Sequence, residues 1–217
     1  MNNIIYFRLY LYSMNFNPNV KPGILEIFTG PMFSGKTQEL IHRVQKIEYM
    51  SNIDIEFFKP DSDTRNQGYI FSRGTNIKYA CKTIPFNEPE KIFDYVVNKQ
   101  VIEIDEAQFF SKKIVRVAEE LLKNNINVII SGLDLDYRAE PFWPMSELMT
   151  IANIVEKSSG ICMVCKKNPG TRTQLILNGK PAPYELYTNI LPQDLSDESK
   201  IKYEVRCIQH HEVPGKY

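Results

Sequence analysis

Residues 30–37 of the chain, Gly-Pro-Met-Phe-Ser-Gly-Lys-Thr, have the spacing of a loop that binds phosphate groups. Backbone N–H groups of such a loop surround phosphate oxygens, and the helix that follows adds the positive end of its dipole. We predict that Lys36 reaches the terminal phosphates of a nucleotide and that the Thr37 hydroxyl binds Mg²⁺. The alternative is a glycine turn that only caps a helix, but the strand pattern before the loop and the helix pattern after it favour a phosphate site. The predicted nucleotide-binding residues are Gly30, Pro31, Met32, Phe33, Ser34, Gly35, Lys36 and Thr37.

An acidic pair, Asp105 and Glu106, follows the apolar run Val101–Ile104. Open α/β sheets bind ligands at the carboxyl ends of their strands, so Asp105 is predicted to hold the metal ion directly or through water. Glu106 has two possible roles: in an ATPase it would orient a water molecule, and in a kinase it would accept the proton of an acceptor hydroxyl. Both roles need a carboxylate beside the nucleophile, so the residue type alone does not choose between them.

A set of soft metal ligands is predicted from two pairs, Cys162-Met-Val-Cys165 and Cys207-Ile-Gln-His210. Each pair places its ligands three residues apart, and two such pairs complete the tetrahedron that suits Zn²⁺. Four protein ligands leave no open position, so the zinc site is predicted to be structural. A disulfide and unpaired buried thiols are the alternatives. His211 competes with His210 for the last position, and the spacing favours His210.

Short apolar runs alternate with helical patterns in the first two thirds of the chain. Helix-forming residues between Gln38 and Met50 follow the glycine loop, and an apolar stripe from Ile114 to Leu122 indicates a second helix. Strands that alternate with helices predict an α/β fold, with a P-loop NTPase core built on a parallel, RecA-like sheet. The predicted strands are Ile24–Thr29, Ile53–Phe58, Val101–Ile104 and Val128–Leu133.

The composition of the chain changes after about Glu156, where helical periodicity is lost and all but one of the cysteines occur. We therefore predict an N-terminal tail without regular structure at 1–23, an α/β core at 24–156, and a small zinc-binding ribbon and lid at 157–217. The polar segment Asp61–Gly74 is predicted to be a mobile loop near the core.

The overall charge of the protein is balanced, with 26 basic and 26 acidic side chains among 217 residues. A nucleic acid partner usually requires a basic surface, so none is expected.

The sequence has no run of 18 apolar residues, and polar side chains interrupt the N-terminal stretch, so we expect neither a membrane segment nor a signal peptide. The expected location is the cytoplasm.

The chain resembles the type II thymidine kinases over nearly all of Leu25 to His211. This resemblance rests on GPMFSGKT at 30–37, DTR at 63–65, DEAQFF at 105–110, GLDLDYRAEPF at 132–142, the cysteine pair at 162–165 and YEVRCIQHH at 203–211. It implies transfer of the γ-phosphate of ATP to the 5′-hydroxyl of thymidine, and of deoxyuridine, to give the monophosphate. It also implies a homotetramer and feedback inhibition by thymidine triphosphate.

The resemblance further assigns roles near the phosphates. Glu106 matches the general base that takes the proton of the 5′-hydroxyl. Arg65 matches an arginine beside the donor phosphates, where a guanidinium stabilises charge during transfer. Thr37 and Asp105 match the Mg²⁺ site, and Asp63 is their partner through water.

A nucleoside pocket is implied by the same resemblance, with a loop called the lasso that is anchored by zinc and closes over the base. A flat base with a methyl group fits an apolar slot with backbone hydrogen bonds from such a loop. Thr171 is the alternative to Thr173, because the stretch 165–173 is one residue longer than in some relatives. The apolar wall residues also fit the core of the fold, and that alternative stays open. The matched residues are Met32, Phe109, Leu133 and Tyr137 in the walls and Thr173 and Tyr203 in the lasso.

Two other functions are compatible with the motifs alone. One is a P-loop ATPase in which Glu106 positions water and the zinc lobe contacts nucleic acid, which the balanced charge disfavours. The other is a nucleotide-sensing module without catalysis.

Overall fold

Parallel strands form the centre of the computed structural model, which describes residues 22–49, 53–65, 68–71, 77–186 and 201–216. The strands are β1 Leu25–Thr29, β2 Ile55–Pro60, β3 Tyr69–Phe71, β4 Lys78–Ala80, β5 Lys82–Ile84, β6 Val101–Ile104, β7 Asn127–Gly132, β8 Ile154–Lys157, β9 Gly160–Ile161, β10 Pro169–Gly170, β11 Arg172–Leu177, β12 Lys180–Pro181 and β13 Ile201–Arg206. The α-helices are α1 Lys36–Glu48, α2 Lys113–Lys123 and α3 Met145–Ile151, and 3₁₀ helices cover Pro89–Tyr95 and Ala107–Phe109.

Six of these strands form one sheet in the order β5-β2-β6-β7-β1-β8, and every neighbouring pair is parallel. All residues of β1, β6 and β7 are buried. These strands are mostly apolar, as a parallel sheet covered on both faces requires, although Glu26 and Glu103 are buried within them. The predicted α/β fold is therefore confirmed.

Helices cover the two faces of this sheet. Helix α1 buries Leu40, Ile41, Val44 and Ile47, which lie on one helical face and belong to one hydrophobic cluster with sheet residues such as Ile129. Helix α2 buries a corresponding stripe in a larger cluster on the sheet. Burial of each such side chain contributes roughly 1.5–3 kcal/mol, so the sheet and its helices hold most of the apolar stabilisation.

The part of the chain after β8 has a different construction. We call residues 158–186 and 201–216 the second lobe. Strands β9 and β10 form an antiparallel ribbon, and β12-β11-β13 form a three-stranded antiparallel sheet. Its hydrophobic cluster has Tyr137, Leu175 and Ala182 as fully packed members, and Tyr137 comes from the loop after β7.

The structure differs from the sequence predictions in several places. Part of Asp61–Gly74, predicted to be a mobile loop, is strand β3, which pairs with β4 and buries Ile70 against the face covered by α1. The segment is polar on the whole, but β3 reads Tyr-Ile-Phe, and burial of Ile70 in the core holds these residues in a strand. Strand β8 and helix α3 were not predicted. The proposed tail lies almost wholly outside the described residues, and among the described helices none is long and apolar enough to cross a membrane.

Candidate active site

All six strands of the parallel sheet end at the same side, which we call the carboxyl edge. The loops that follow β1, β2, β6, β7 and β8 all leave from this edge. Open α/β sheets bind ligands there because side chains from several loops converge above the strand ends. The predicted phosphate loop and the predicted acidic pair both belong to this edge.

The phosphate loop needs glycine at its first position. Gly30 has φ 137°, and a Cβ atom on it would lie 2.3 Å from the carbonyl oxygen of Ser158. Gly35, with φ 86°, is in the left-handed region directly before α1 begins. Both conformations favour glycine, so the two glycines of the motif set the path of the loop into the helix.

Lys36, the first residue of α1, folds back over the loop. Its Nζ donates a hydrogen bond to the carbonyl oxygen of Pro31 at 2.7 Å. Burial lowers the pKa of Lys36, and the negative charges of Glu106 and Asp105 oppose that effect. The ammonium group therefore lies in the field of both acidic residues that follow β6.

Asp105 is almost completely buried at the end of β6. Its Oδ1 accepts hydrogen bonds from the Ser131 hydroxyl and from the backbone N–H of Glu106, the latter at 3.0 Å. Burial raises the pKa of Asp105 to about 6, although these hydrogen bonds lower it. At neutral pH the group remains mostly a carboxylate, a hard oxygen ligand.

Glu106 adopts the left-handed conformation, with φ 53°, which is uncommon for a residue with a side chain. Arg65 Nη2 lies 2.7 Å from its Oε1, and Gln108 Nε2 donates to its Oε2 at 2.6 Å. Burial alone would raise the pKa of Glu106, but the charges of Arg65 and Lys36 and these hydrogen bonds lower it below the usual value. The carboxylate is ionised and can accept a proton.

Asp63 organises the loop after β2. Its Oδ1 accepts from Arg65 Nε at 2.7 Å, and its Oδ2 lies 3.5 Å from Lys59 Nζ. Lys59 Nζ also donates to the carbonyl oxygen of Arg65. Arg65 is thus held between Asp63 and Glu106, and its pKa is raised because these two charges outweigh its desolvation.

The residues matched to the nucleoside pocket make different contacts in the structure. Thr173 on β11 is buried, and its Oγ1 accepts a hydrogen bond from the Met32 backbone N–H at 3.0 Å. Thr171 instead donates its backbone N–H to Arg206. Phe109 makes an edge-to-face contact with Phe142, with 6.3 Å between ring centroids.

Leu133 follows β7, and its backbone N–H donates to Gln108 Oε1 at 3.0 Å. Tyr137 and Tyr203 lie together with Leu175 in the cluster of the second lobe. The Tyr137 hydroxyl donates to the carbonyl oxygens of Pro183 and Leu186. Tyr137 therefore holds the chain immediately before the segment 187–200, where part of the predicted lasso lies outside the described residues.

Cys162, Cys165, Cys207 and His210 come together in the second lobe, and their ligand atoms all lie within 4.8 Å of one another. His210 Nδ1 is 3.1 Å from Cys207 Sγ and 3.7 Å from Cys162 Sγ. Desolvation disfavours the Cys162 thiolate, but backbone N–H groups of Cys165 and Cys207 lower the pKa of Cys162 to about 6. Three sulfur atoms and one imidazole in this arrangement form a site for a metal ion such as zinc.

His211, the alternative fourth ligand, is not in this cluster. Its Nε2 lies 2.9 Å from the carbonyl oxygen of Tyr137, and burial lowers its pKa. Cys81 is half-buried and packs against the sheet core, and burial raises its pKa to about 12.

Several polar residues of this edge were not identified from the sequence. Gln108 bridges Glu106 and Leu133, Ser131 supports Asp105, and Lys157 Nζ lies 2.5 Å from the buried Asp134 Oδ2. Except for Gln108 and Glu106, which are two residues apart, the members of these pairs are distant along the chain, and no spacing rule connects them. The only available signal was that Ser131 and Lys157 are polar residues at strand ends.

Comparisons with known proteins agree with these motifs. The family model for thymidine kinase matches residues 23–182. The thymidine kinase of Coprothermobacter proteolyticus is 42% identical over 194 residues, which is 89% of this chain and 93% of that protein. The thymidine kinase of Mycoplasma genitalium is 40% identical over 193 residues, 88% of this chain and 84% of that protein. With matches of this extent, the chain belongs to the thymidine kinase family.

Proposed function

We propose that the protein is an ATP:thymidine 5′-phosphotransferase, which converts thymidine, and also deoxyuridine, to the 5′-monophosphate. The observation that carries the proposal is the Glu106 carboxylate, held by Arg65 at 2.7 Å and by Gln108 at 2.6 Å in the field of Lys36. The relatives with matching sequences are named thymidine kinases, which supports thymidine as acceptor.

In the proposed reaction Glu106 takes the proton of the thymidine 5′-hydroxyl while that oxygen attacks the γ-phosphorus of ATP. The bond from the γ-phosphorus to the bridging oxygen of ADP breaks, and ADP leaves with the electron pair. Lys36 and Arg65 stabilise the charge that develops on the phosphoryl oxygens. The lowered pKa of Glu106 keeps the base ionised before the proton moves.

The predicted Mg²⁺ ligands fit that ion chemically. Asp105 offers a buried carboxylate oxygen at the carboxyl edge, and Thr37 offers a hydroxyl in the first turn of α1. When bound with ATP, Mg²⁺ would neutralise charge on the phosphates. Asp63 acts through water in this proposal. For the cysteine cluster we propose Zn²⁺, because three sulfurs and one imidazole nitrogen favour it over hard cations.

The proposed nucleoside pocket lies between the two parts of the chain, with Met32, Phe109 and Leu133 on the core side. Thr173 and Tyr203 approach from the second lobe and Tyr137 from the loop after β7, and the lasso that the resemblance implies would close over the base. Exclusion of water by this closure would favour transfer to thymidine over hydrolysis of ATP.

The larger-scale assignments are also part of the proposal. The division at 24–156 and 157–217 rests on the change in composition near Glu156. A homotetramer and feedback inhibition by thymidine triphosphate rest on the family resemblance, and we also propose a cytoplasmic location. The ATPase alternative would need a basic surface for nucleic acid, whereas the charge of the whole chain is balanced.

A panel of nucleosides incubated with ATP, with products identified by mass, tests the proposed reaction. We expect monophosphate from thymidine and deoxyuridine, and ADP release only when one of them is present. The paired variant Glu106→Gln should lower kcat by about 10²–10⁴-fold and leave ATP binding intact, because only the proton acceptor is lost. ATP hydrolysis at the same rate without nucleoside would refute the proposal in favour of an ATPase.

A further inference from the structure

Two neighbouring histidines at the end of the described chain have different partners. His210 Nδ1 faces the sulfur atoms of the metal cluster. His211 Nε2 lies 2.9 Å from the carbonyl oxygen of Tyr137, in the loop after β7. Because a carbonyl oxygen can only accept, Nε2 of His211 carries a proton and donates it. The backbone of Thr173 interacts with the same imidazole.

The residues after His210 continue this contact as a strap along the second lobe. We call residues 211–216 the C-terminal strap. Gln174 on β11 is fully buried and exchanges two hydrogen bonds with Glu212, each at 2.8 Å between the Gln174 amide and the Glu212 backbone. The carbonyl oxygen of Pro214 accepts from the backbone N–H of Tyr184 at 2.8 Å. Lys216 Nζ donates to the carbonyl oxygen of Arg138.

The C-terminal strap therefore joins the two structures that carry the proposed nucleoside contacts of the second lobe. One is the loop at Tyr137, whose hydroxyl in turn holds the carbonyl oxygens of Pro183 and Leu186. The other is β11, where Thr173 Oγ1 accepts from the Met32 backbone N–H in the phosphate loop. A displacement of the His211 side chain would loosen the first of these structures from the second.

We propose that His211 is a positioning residue for the nucleoside pocket: it ties the Tyr137 loop to β11 and to the metal cluster, and it is not a metal ligand. The inference rests on the proposed function, because it assigns the Tyr137 loop to the thymidine site. His211 acts through the backbone of Tyr137 and touches neither ATP nor the transferred phosphate. Its loss should weaken thymidine binding selectively.

The expected rise in KM for thymidine corresponds to the loss of one hydrogen bond. Without His211 the Tyr137 carbonyl oxygen loses a part-buried donor, and the loop would shift towards solvent to recover one. A net hydrogen-bond contribution of this kind corresponds to about a threefold to tenfold rise in KM for thymidine. KM for ATP and kcat should change less than about twofold, because the phosphate loop and Glu106 keep their contacts.

The test compares His211→Ala with His211→Gln, whose amide N–H can replace the Nε2 donor, and with His42→Ala at an exposed position on α1. KM for thymidine, KM for ATP and zinc per chain are measured on each full-length protein. We expect a raised thymidine KM in His211→Ala, partial recovery in His211→Gln, wild-type values in His42→Ala, and the same zinc content in all. Lys216→Met, which removes the bond to Arg138 from the same strap, should raise the thymidine KM in the same direction even if His211→Ala fails to fold.

Two results would overturn the inference. Loss of zinc from His211→Gln would make His211 a ligand, and an unchanged thymidine KM in both His211 variants would show that the contact does not position the pocket. Failure of the wild-type protein to phosphorylate thymidine is a separate result, since it refutes the proposed function itself. The wild-type assay therefore distinguishes the two failures.

Discussion

The carboxyl edge of the sheet rests on fully buried strands, whereas the second lobe has a small cluster around Leu175 and a set of four metal ligands. The first region holds several charged groups at low exposure, among them Lys59, Asp63 and Asp105. The second lobe instead holds thiols and an imidazole. A covered parallel sheet can hold buried charges because the surrounding apolar packing is extensive, whereas metal binding can supply folding free energy to a lobe with little apolar packing.

This contrast predicts that substitutions in the two regions have different effects. Changes at the carboxyl edge should alter rate or pH dependence while the fold persists, and changes at the metal cluster should alter the fold of the second lobe first. The following predictions test that separation, in order of decreasing effect.

The largest effect is expected from Cys207→Ser, which removes one metal ligand. Structural zinc contributes roughly 10–16 kcal/mol in finger peptides, comparable to the whole stability of a typical domain. The second lobe should lose its metal and its order while the parallel sheet remains. Zinc analysis and limited proteolysis with mass mapping would show cleavages concentrated after β8. The matched control is Cys81→Ser, outside the cluster, and equal protease resistance of the lobe in both variants would contradict the comparison.

A smaller, purely kinetic effect is expected from Arg65→Met at the carboxyl edge. The guanidinium contacts both Asp63 and Glu106, so its removal takes away a positive charge beside the proposed base and phosphates. We expect kcat to fall by about 10²–10³-fold, as for other preorganised charge-stabilising groups. Zinc content should not change, and the exposed Arg116→Met on α2 should behave as wild type. Loss of metal from Arg65→Met would mean that the two regions are not independent.

Glu26 is a buried ionisable residue of the same sheet, and it lies away from the carboxyl edge. It is fully buried on β1, 2.6 Å from Arg43 Nη2, and burial raises its pKa from 4.5 to about 7. Between pH 4.5 and about 7 the folded protein therefore keeps a proton that the unfolded chain releases. The contribution of Glu26 to the unfolding free energy is fully present below pH 4.5 and is lost as the pH rises to about 7. Between pH 5 and 8 the unfolding free energy of the wild type should fall by about 1–3 kcal/mol more than that of Glu26→Gln.

Urea unfolding at several pH values measures this difference, with Glu119→Gln on the exposed side of α2 as control. The kcat of Glu26→Gln should stay near the wild-type value, because the residue is remote from the predicted site. An identical pH slope in wild type and variant would rule out Glu26 as the titrating group.

The smallest effect is expected from Gln108→Met. Gln108 donates to Glu106 and accepts from Leu133, so it is a link between the proposed base and the nucleoside wall. Without its donor the pKa of Glu106 should rise, which moves the acid limb of the kcat/KM profile to higher pH. We expect a loss of about threefold to tenfold in kcat/KM near the acid limb, with less loss at higher pH. Gln45→Met on α1 is the control, and a uniform loss at every pH would point to misfolding.

The sequence predicted those features that depend on local spacing. The phosphate loop at 30–37 and the strand before Asp105 follow from the glycine and apolar patterns, and the four metal ligands follow from two short pairs. The helix after the loop was also predicted, and the structure starts it two residues earlier, at Lys36. Within each loop, strand, helix or ligand pair, the residues that define the feature lie close together in the chain.

The features that the sequence did not predict depend on contacts across the fold. Glu103 lies in the middle of β6 and is completely buried, and its pKa is raised well above the usual value by burial and by Asp105. A glutamate in a strand ordinarily suggests a solvent-facing position. Here β6 is an inner strand between β2 and β7, and hydrophobic clusters cover both faces of the sheet, so no solvent-facing position remains along it.

The hydrogen bond from the Met32 backbone N–H to Thr173 Oγ1 joins the loop at 30–37 to the second lobe, so the two parts of the protein cannot be separated without loss of this contact. The same loop places the Phe33 carbonyl oxygen 3.2 Å from where a Cβ of Gly160 would lie, and Ser158 closes over Gly30. A fragment that stopped at Lys157 would remove a hydrogen-bond acceptor and the covering backbone from the predicted phosphate loop. The second lobe therefore cannot be replaced freely by the lobe of another protein. A chimera would have to keep the Thr173 hydroxyl and the segment Ser158–Gly160, because both contact the loop at 30–37, which lies more than a hundred residues earlier in the chain.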